Sequence, residues 1–361
     1  MEPAFHIQDG LIPPRDVLGV ATDGFPRAEV RADVLDHGAV LRSGVVRHGE
    51  LAHLAGEEIA REDTLEGAAA HGLHIERLLA EGGMGAVYAA RDVVTGAPLA
   101  MKVLRREHAA DPGSRVRFER EVRFARRIDH PNVCPALAAG ELADGRPFYL
   151  MPLYPGVTLG DEVRRRGPLS LERALAIANQ ILAGLAAMHA ARVVHRDLQP
   201  DNVLLVEAPG GGDGVKLIDL GFAHEPGVDT GDGITPDSPG ALVGTLRFMS
   251  PEQALRSRAI TERSDLFAVG LLLHFALTGE LPFRGRTDLD MLVAVVRSAP
   301  IRLRRRRPDA PRALEEILAR ALAKHPDARF CSASEMRAAL AAVSSTERAT
   351  RAHPKRARAL Q

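Results

Sequence analysis

Glu81-Gly82-Gly83-Met84-Gly85 brings three glycines together within five residues. Without a Cβ, backbone N–H groups there can approach phosphate oxygens closely, although the same run is equally a plain hairpin turn. A second candidate is Lys102, inside the apolar run Leu99-Ala100-Met101-Lys102-Val103-Leu104. An ammonium in such a strand is costly unless it snorkels to solvent or meets a carboxylate. Glu121, nineteen residues on, is a candidate partner, and an edge-strand lysine in solvent is the plain alternative. The densest polar stretch is Val194-His195-Arg196-Asp197-Leu198-Gln199-Pro200-Asp201-Asn202, which runs into Val203-Leu204-Leu205 and is followed by Leu217-Ile218-Asp219-Leu220-Gly221. Chance is a poor explanation for carboxylate and amide side chains bracketed this way by apolar runs.

These residues need elements to hold them. Alternation predicts strands over His74–Ala80, Ala86–Asp92 and Pro98–Leu104, with Thr95-Gly96 turning the last two, an antiparallel start. Phe118, Val122 and Ala125, at i, i+4 and i+7, predict a helix over Ser114–Arg127 with Glu121 at the edge of its apolar face. After a strand near Phe148–Met151 the pattern turns helical, opening with the stripe Leu171, Leu175, Ala178, Leu182 and Leu185. Further helices are expected at Arg263–Thr278, Arg312–Ala323 and Ser334–Val343. No internal repeat is visible.

In this order the features resemble the eukaryotic-like bacterial Ser/Thr protein kinases, whose pattern is a glycine-rich loop, a strand lysine, a helix glutamate, HRDxxxxN, DFG and APE. The resemblance covers residues 73–343, about three-quarters of the chain. It implies an α+β, bilobal protein kinase fold. The N-lobe, residues 73–151, would be an antiparallel sheet with one main helix; a hinge at 152–155 would lead to a mostly α-helical C-lobe at 156–343.

Residue by residue, the resemblance implies that Lys102 holds the α- and β-phosphates of ATP and pairs with Glu121 rather than Glu119. Asp197 would accept or orient the substrate hydroxyl proton, and Asn202 and Asp219 would hold Mg²⁺, or Mn²⁺ in its place. Charge argues the same way, because phosphoryl transfer needs neutralisation more than covalent help. The implied nucleotide contacts are Ala80, Gly82, Gly85, Val87, Ala100 and Lys102, the gatekeeper Met151, and Pro152 and Tyr154 of the hinge. Pro152 has a carbonyl but no N–H, so the Tyr154 N–H carries more of the adenine bonding.

Gly244-Thr245-Leu246-Arg247-Phe248-Met249-Ser250-Pro251-Glu252-Gln253 is similar to the family's GTxxYMAPEQ. By the same resemblance Thr245, Asp265, which braces the catalytic loop, and Glu252 with its partner Arg329 are architectural. Arg196, before Asp197, marks the type switched on by activation-loop phosphorylation, and Thr230, Thr235 and Ser238 are the candidate acceptors. The implied activity is transfer of the γ-phosphoryl of ATP to Ser/Thr hydroxyls of protein substrates, with autophosphorylation and self-association for phosphorylation in trans.

Three positions depart from the family pattern. Ala80 replaces the first loop glycine, a change tolerated while φ stays negative. Leu220 replaces the Phe of DFG and keeps an apolar plug. Gln199, within the catalytic set of Lys102, Glu121 and Asp197, stands where these kinases carry a lysine that reaches the transferred phosphate. A neutral amide keeps donors but supplies no positive charge. The alternative reading is therefore an attenuated or inactive pseudokinase that serves as a nucleotide-binding signalling scaffold. His195 is read as a satisfied structural histidine.

Composition sets the remaining bounds. With 45% hydrophobic and 26% charged residues the chain is of globular type, and 47 Lys+Arg against 47 Asp+Glu leave no global field to recruit nucleic acid. The arginine run Arg302, Arg304, Arg305, Arg306 and Arg307 is read as a solvated loop. Cys134 and Cys331 show no metal-ligand spacing, the first residues show no secretory pattern, and no apolar run is long enough to span a bilayer. A cytoplasmic protein without a membrane span is expected. Residues 1–72 form an extension of unknown fold, with short strand-like pieces at Ala28–Leu35 and Ala39–Val46 and a helix-like one at Leu51–Glu66. Its first 70 residues hold thirteen acidic and six basic side chains. Residues 344–361 are read as a disordered basic tail.

Overall fold

Strands with side chains alternating between two faces build the first sheet. The computed structural model describes residues 65, 71–225, 245–255, 257 and 260–352. They fall into two compact units, one running to Arg126 and including Pro135–Pro155, the other comprising Arg127–Cys134 and the described residues from Gly156 onward.

In the first unit β1 (Leu73–Glu81), β2 (Gly85–Asp92) and β3 (Pro98–Leu104) are followed by a short helix α1 (Arg106–Ala109), the long helix α2 (Pro112–Arg127), β4 (Ala138–Glu141) and β5 (Pro147–Pro152). The strands form one antiparallel sheet in the order β1-β2-β3-β5-β4. The β2–β3 turn is closed by Asp92 Oδ1, which accepts from the Val94 and Thr95 N–H groups at 3.0 and 2.7 Å, and Gly96 takes φ +71°. Leu99, Met101 and Val103 of β3 join Ala86, Tyr88, Phe148 and Leu150 in a buried cluster on one face. Period-2 alternation therefore puts Ala100 and Lys102 on the other.

The second unit opens with β6 (Gly156–Thr158), α3 (Leu159–Arg166) and α4 (Leu171–Ala190). Next come β7 (Val203–Glu207) and β8 (Asp213–Leu217), then α5 (Pro251–Ala254), α6 (Glu262–Thr278), α7 (Asp288–Arg297), α8 (Arg312–Ala321) and α9 (Ala333–Ala352). Strands β6-β7-β8 make a small antiparallel sheet. Helix α6 is apolar all round and buried along most of its length, as such a helix must be. Thr261 caps its start, and Gly279 ends it at φ +73°, a conformation that glycine adopts without a Cβ penalty. Phe267 and Leu271 of α6 pack with Phe283, Met291, Val295 and Leu322.

Several expectations shift at their edges. Helices α3 and α7 were not among the elements expected from the sequence, although Met291, Ala294 and Val295 of α7 fall at i, i+3 and i+4 and are buried. Arg127–Cys134, assigned by sequence to the N-lobe, packs with the second unit, where the Asn132 side chain donates to Gln180 Oε1 at 3.2 Å and to the Val215 carbonyl at 2.9 Å. The tail boundary at Val343 is corrected too, because α9 runs on to Ala352. Nothing there breaks a helix: the Ser344 and Ser345 hydroxyls bond the Leu340 and Ala341 carbonyls, and the first proline is Pro354. The arginine run is not uniformly solvated, since Arg307 donates to the Leu169 and Leu277 carbonyls and Arg306 pairs with Glu280. Residues 1–64, 66–70 and 353–361 lie outside the described residues, and with them almost all of the N-terminal extension.

Candidate active site

Antiparallel register settles which side chains of the first unit share a face, because residues directly opposite one another project to the same side. Val87 lies opposite Lys102, Lys102 opposite Tyr149, and Ala100 opposite Met151. Val87, Ala100, Lys102, Tyr149 and Met151 thus occupy the face away from the Met101 cluster. Helix α2 covers part of this face through Phe118, whose ring centroid is 5.6 Å from that of Tyr149. One turn away Glu121, 1% exposed, receives Lys102 Nζ at 2.6 Å and the Tyr149 hydroxyl at 2.8 Å, both on Oε1. The lysine is neither at an edge nor in solvent, and its partner is Glu121 rather than Glu119.

The glycine turn joins β1 to β2. Gly82 N–H donates to the Gly85 carbonyl at 2.9 Å, and a Cβ on Gly85 would come within 3.1 Å of the Val103 carbonyl, a tight approach that the missing side chain avoids. Ala80 is paired opposite Val87 in β1 and has no positive φ, which is why its methyl is accommodated. Pro152 ends β5 opposite Leu99, within the strand rather than after it, and Tyr154 follows half-buried.

The second unit holds the acidic loop by buried hydrogen bonds. Asp265 of α6 accepts from the backbone N–H groups of His195 and Arg196, each at 2.9 Å, and from His189 Nε2 at 2.8 Å. Burial works against its charge, but the His189 hydrogen bond, the neighbouring histidines and the Arg196 amide outweigh it and hold the carboxyl below the ordinary range. His195 is fully buried, and burial pushes its pKa down. Arg196 takes φ +67°, rare for a side chain of this size, while Gln253 Nε2 donates to its carbonyl at 2.6 Å.

Asp197, 6% exposed, is gripped from its own loop. Asn202 Nδ2 donates to the Asp197 carbonyl at 2.7 Å and to Oδ2 at 3.0 Å, and Gln199 Nε2 donates to the same Oδ2 at 3.3 Å. Asp219 adopts φ +63° and accepts from the Gly221 N–H at 3.1 Å, with Leu220 buried beneath the turn. The Ile218 N–H donates to the Asn202 carbonyl at 3.1 Å, tying the two acidic segments together.

With both amide protons of Asn202 directed at Asp197, its Oδ1 faces away as an acceptor. Asn202 and Asp219 therefore offer oxygen donors suited to a hard cation. Among the described residues no group of three or more His, Cys, Asp or Glu could hold a metal alone, so such a cation would need phosphate or water oxygens as well.

Farther along, Arg329 and Glu252 form a two-pronged ion pair at 2.7 and 2.8 Å, and Ser264 Oγ donates to Glu252 at 2.6 Å. Burial opposes the Glu252 charge, and the arginine overcomes it and keeps that carboxyl below its usual value. Thr245 begins a 3₁₀ turn that ends at Phe248. Thr230, Thr235 and Ser238 lie outside the described residues. Sequence reasoning gave no role to His189 or Tyr149 and quoted Gln253 only as part of a motif; the place of Tyr149 opposite Lys102 lies in the β3–β5 pairing.

A lysine–glutamate pair on a sheet face, with an aspartate–asparagine loop and an aspartate turn in a helical unit, defines a protein kinase type of domain. The family model described as "Protein kinase domain" matches residues 73–340. The chain is 37% identical over 289 residues to the serine/threonine-protein kinase pkn3 of Myxococcus xanthus, covering 80% of this chain and 52% of that protein. It is 36% identical to the serine/threonine-protein kinase PknB of Mycolicibacterium smegmatis, covering 74% of this chain and 42% of that one. Among solved structures, the PknI kinase domain of Mycobacterium tuberculosis superposes with a TM-score of 0.58 at 28% identity, over 75% of this chain and 96% of that one. This chain belongs to the protein kinase domain family, in its bacterial Ser/Thr branch. It spans about half the length of the relatives pkn3 and PknB.

Proposed function

We propose that the chain is an ATP-dependent serine/threonine protein kinase that transfers the γ-phosphoryl group to Ser or Thr hydroxyls of protein substrates. The observation that carries this reading is the Asp197 carboxylate, buried and fixed by Asn202 beside a second aspartate turn. Asp197 accepts or orients the hydroxyl proton of the acceptor. Lys102, held by Glu121, neutralises the α- and β-phosphates, and the backbone of the Gly82–Gly85 turn lies along them. Val87, Ala100 and Met151 supply an apolar surface for the base, with backbone groups of Pro152 and Tyr154 at its edge. Asn202 and Asp219 fit a divalent cation, Mg²⁺ in this reading, which would neutralise charge on the phosphate oxygens. Arg196 would receive an activation-loop phosphate on Thr230, Thr235 or Ser238, delivered by a second copy of the chain.

Cys134 and Cys331 form no disulfide. Among the described residues no helix is long and apolar enough to cross a membrane.

The test is incubation of the full chain with γ-labelled ATP and Mg²⁺, followed by phosphosite mapping. Label on the parent should fall by roughly 10²–10⁴-fold in Asp197→Asn. An unlabelled parent, or equal label on the variant, overturns the reading.

A further inference from the structure

Gln199 sits two residues after Asp197, with its backbone extended at φ −134° and ψ 165°. Its own backbone is held in place: Pro200 fixes the next φ, and the Asn202 N–H closes a 3₁₀ turn on the Gln199 carbonyl at 3.0 Å. Gln199 Nε2 and Asn202 Nδ2 therefore converge on one oxygen, Asp197 Oδ2, at 3.3 and 3.0 Å. Two donors on one carboxylate oxygen restrict rotation of the group about its terminal torsion, which is otherwise broad. The Gln199 amide is thereby committed to the carboxylate, and it carries no charge to offer a phosphate.

We infer that Gln199 is a positioning residue that orients the Asp197 carboxylate toward the acceptor hydroxyl, rather than a group that acts on the transferred phosphate. The inference deepens the kinase reading and rests on it for its kinetic consequence only. Orientation by Asp197 matters most when the acceptor is a protein hydroxyl that must be aligned. It matters less when freely diffusing water is the acceptor in slow ATP hydrolysis. Loss of a group acting on the phosphate would slow both reactions alike.

Two variants of the full chain separate these roles. Gln199→Met keeps the side-chain length and removes the donor, and Gln199→Lys keeps a donor. Phosphate transferred from ATP to dephosphorylated casein and inorganic phosphate released from ATP are measured side by side. The ratio of transfer to hydrolysis is expected to fall about 10-fold in Gln199→Met, a modest share of what misplacement of a reacting group can cost. In Gln199→Lys it should stay at or above that of the parent. Equal falls of both rates in Gln199→Met, or a fall of the ratio in Gln199→Lys, overturn the inference.

A second measurement needs no turnover. The side-chain amide signal of Gln199 in a ¹⁵N correlation spectrum, assigned by its loss in Gln199→Met, should move in Asp197→Ala, and a signal that stays in place overturns the inference. If the parent transfers no phosphate, the kinase reading fails while this measurement still decides whether Gln199 holds Asp197.

Discussion

The two units hold their halves of the chemistry by different means. In the first, Lys102 and Glu121 stand on a strand and a helix, and both positions follow from regular periods, with Tyr149 delivered by register. In the second, Asp197 stands on irregular backbone next to a residue in a left-handed conformation, and distant side chains fix that shape: Asp265 lies some 70 residues away in sequence, and Arg329 braces Glu252 across 77 residues. Regular elements can present a charge with few helpers. An irregular loop needs buried polar brackets, and each bracket is a place where the fold itself can fail.

The sharpest break of that contrast is Arg329→Met. It strands the buried Glu252 carboxylate and should lower unfolding free energy by about 3–5 kcal/mol in urea titrations. Replacing both partners, with Glu252→Leu added, should recover most of the loss, because the penalty belongs to the unpaired charge.

In the first unit the corresponding change should act mainly on turnover. Glu121→Gln keeps an acceptor for the Tyr149 hydroxyl but releases the Lys102 charge from its partner. kcat/KM for ATP should drop on the order of 10²-fold, with a smaller stability loss than in Arg329→Met. An equal stability loss in the two variants would erase the distinction between the units.

Acidification probes the brackets directly. Asp265 and Glu252 both have folded-state pKa values below their unfolded ones. Their stabilising contribution is complete above the unfolded values, about 4 for such carboxyls, and is lost as pH falls through the lower folded values. Unfolding free energy should therefore decline below about pH 4, and the decline should be shallower in the Glu252→Leu/Arg329→Met pair.

The smallest effect is expected for Tyr149→Phe. It removes one hydrogen bond to Glu121 and should cost about 1 kcal/mol, read from the urea midpoint at constant slope.

Legibility in the sequence follows the same division. Strands β1 to β3, helix α2 and the stripe of α4 were visible because short-range periodicity determines which side of an element is apolar. The pairing of Lys102 with Glu121 was visible as an unmet electrostatic need inside a strand. Asp265, Glu252 and Arg329 were named through a family resemblance, not through local pattern, and His189 was missed altogether. A histidine in the last turn of an apolar helix gives no local sign that its ring meets an aspartate 76 residues later. The end of α9 was misplaced because a basic, alanine-rich segment reads as a tail although nothing in it stops a helix before Pro354.

By itself the sequence determined which residue types were available, in what order, and on which regular elements most of them stand, since those follow from periods of two and 3.6 residues. Only the tertiary structure decided that Tyr149 joins Lys102 on Glu121, that His189 joins the loop amides on Asp265, and that Gln199 spends its amide on Asp197. Each of these bonds forms between groups whose separation along the chain, or whose side-chain torsions, local propensity leaves free; packing around them makes one arrangement cheaper than leaving a buried polar group unpaired.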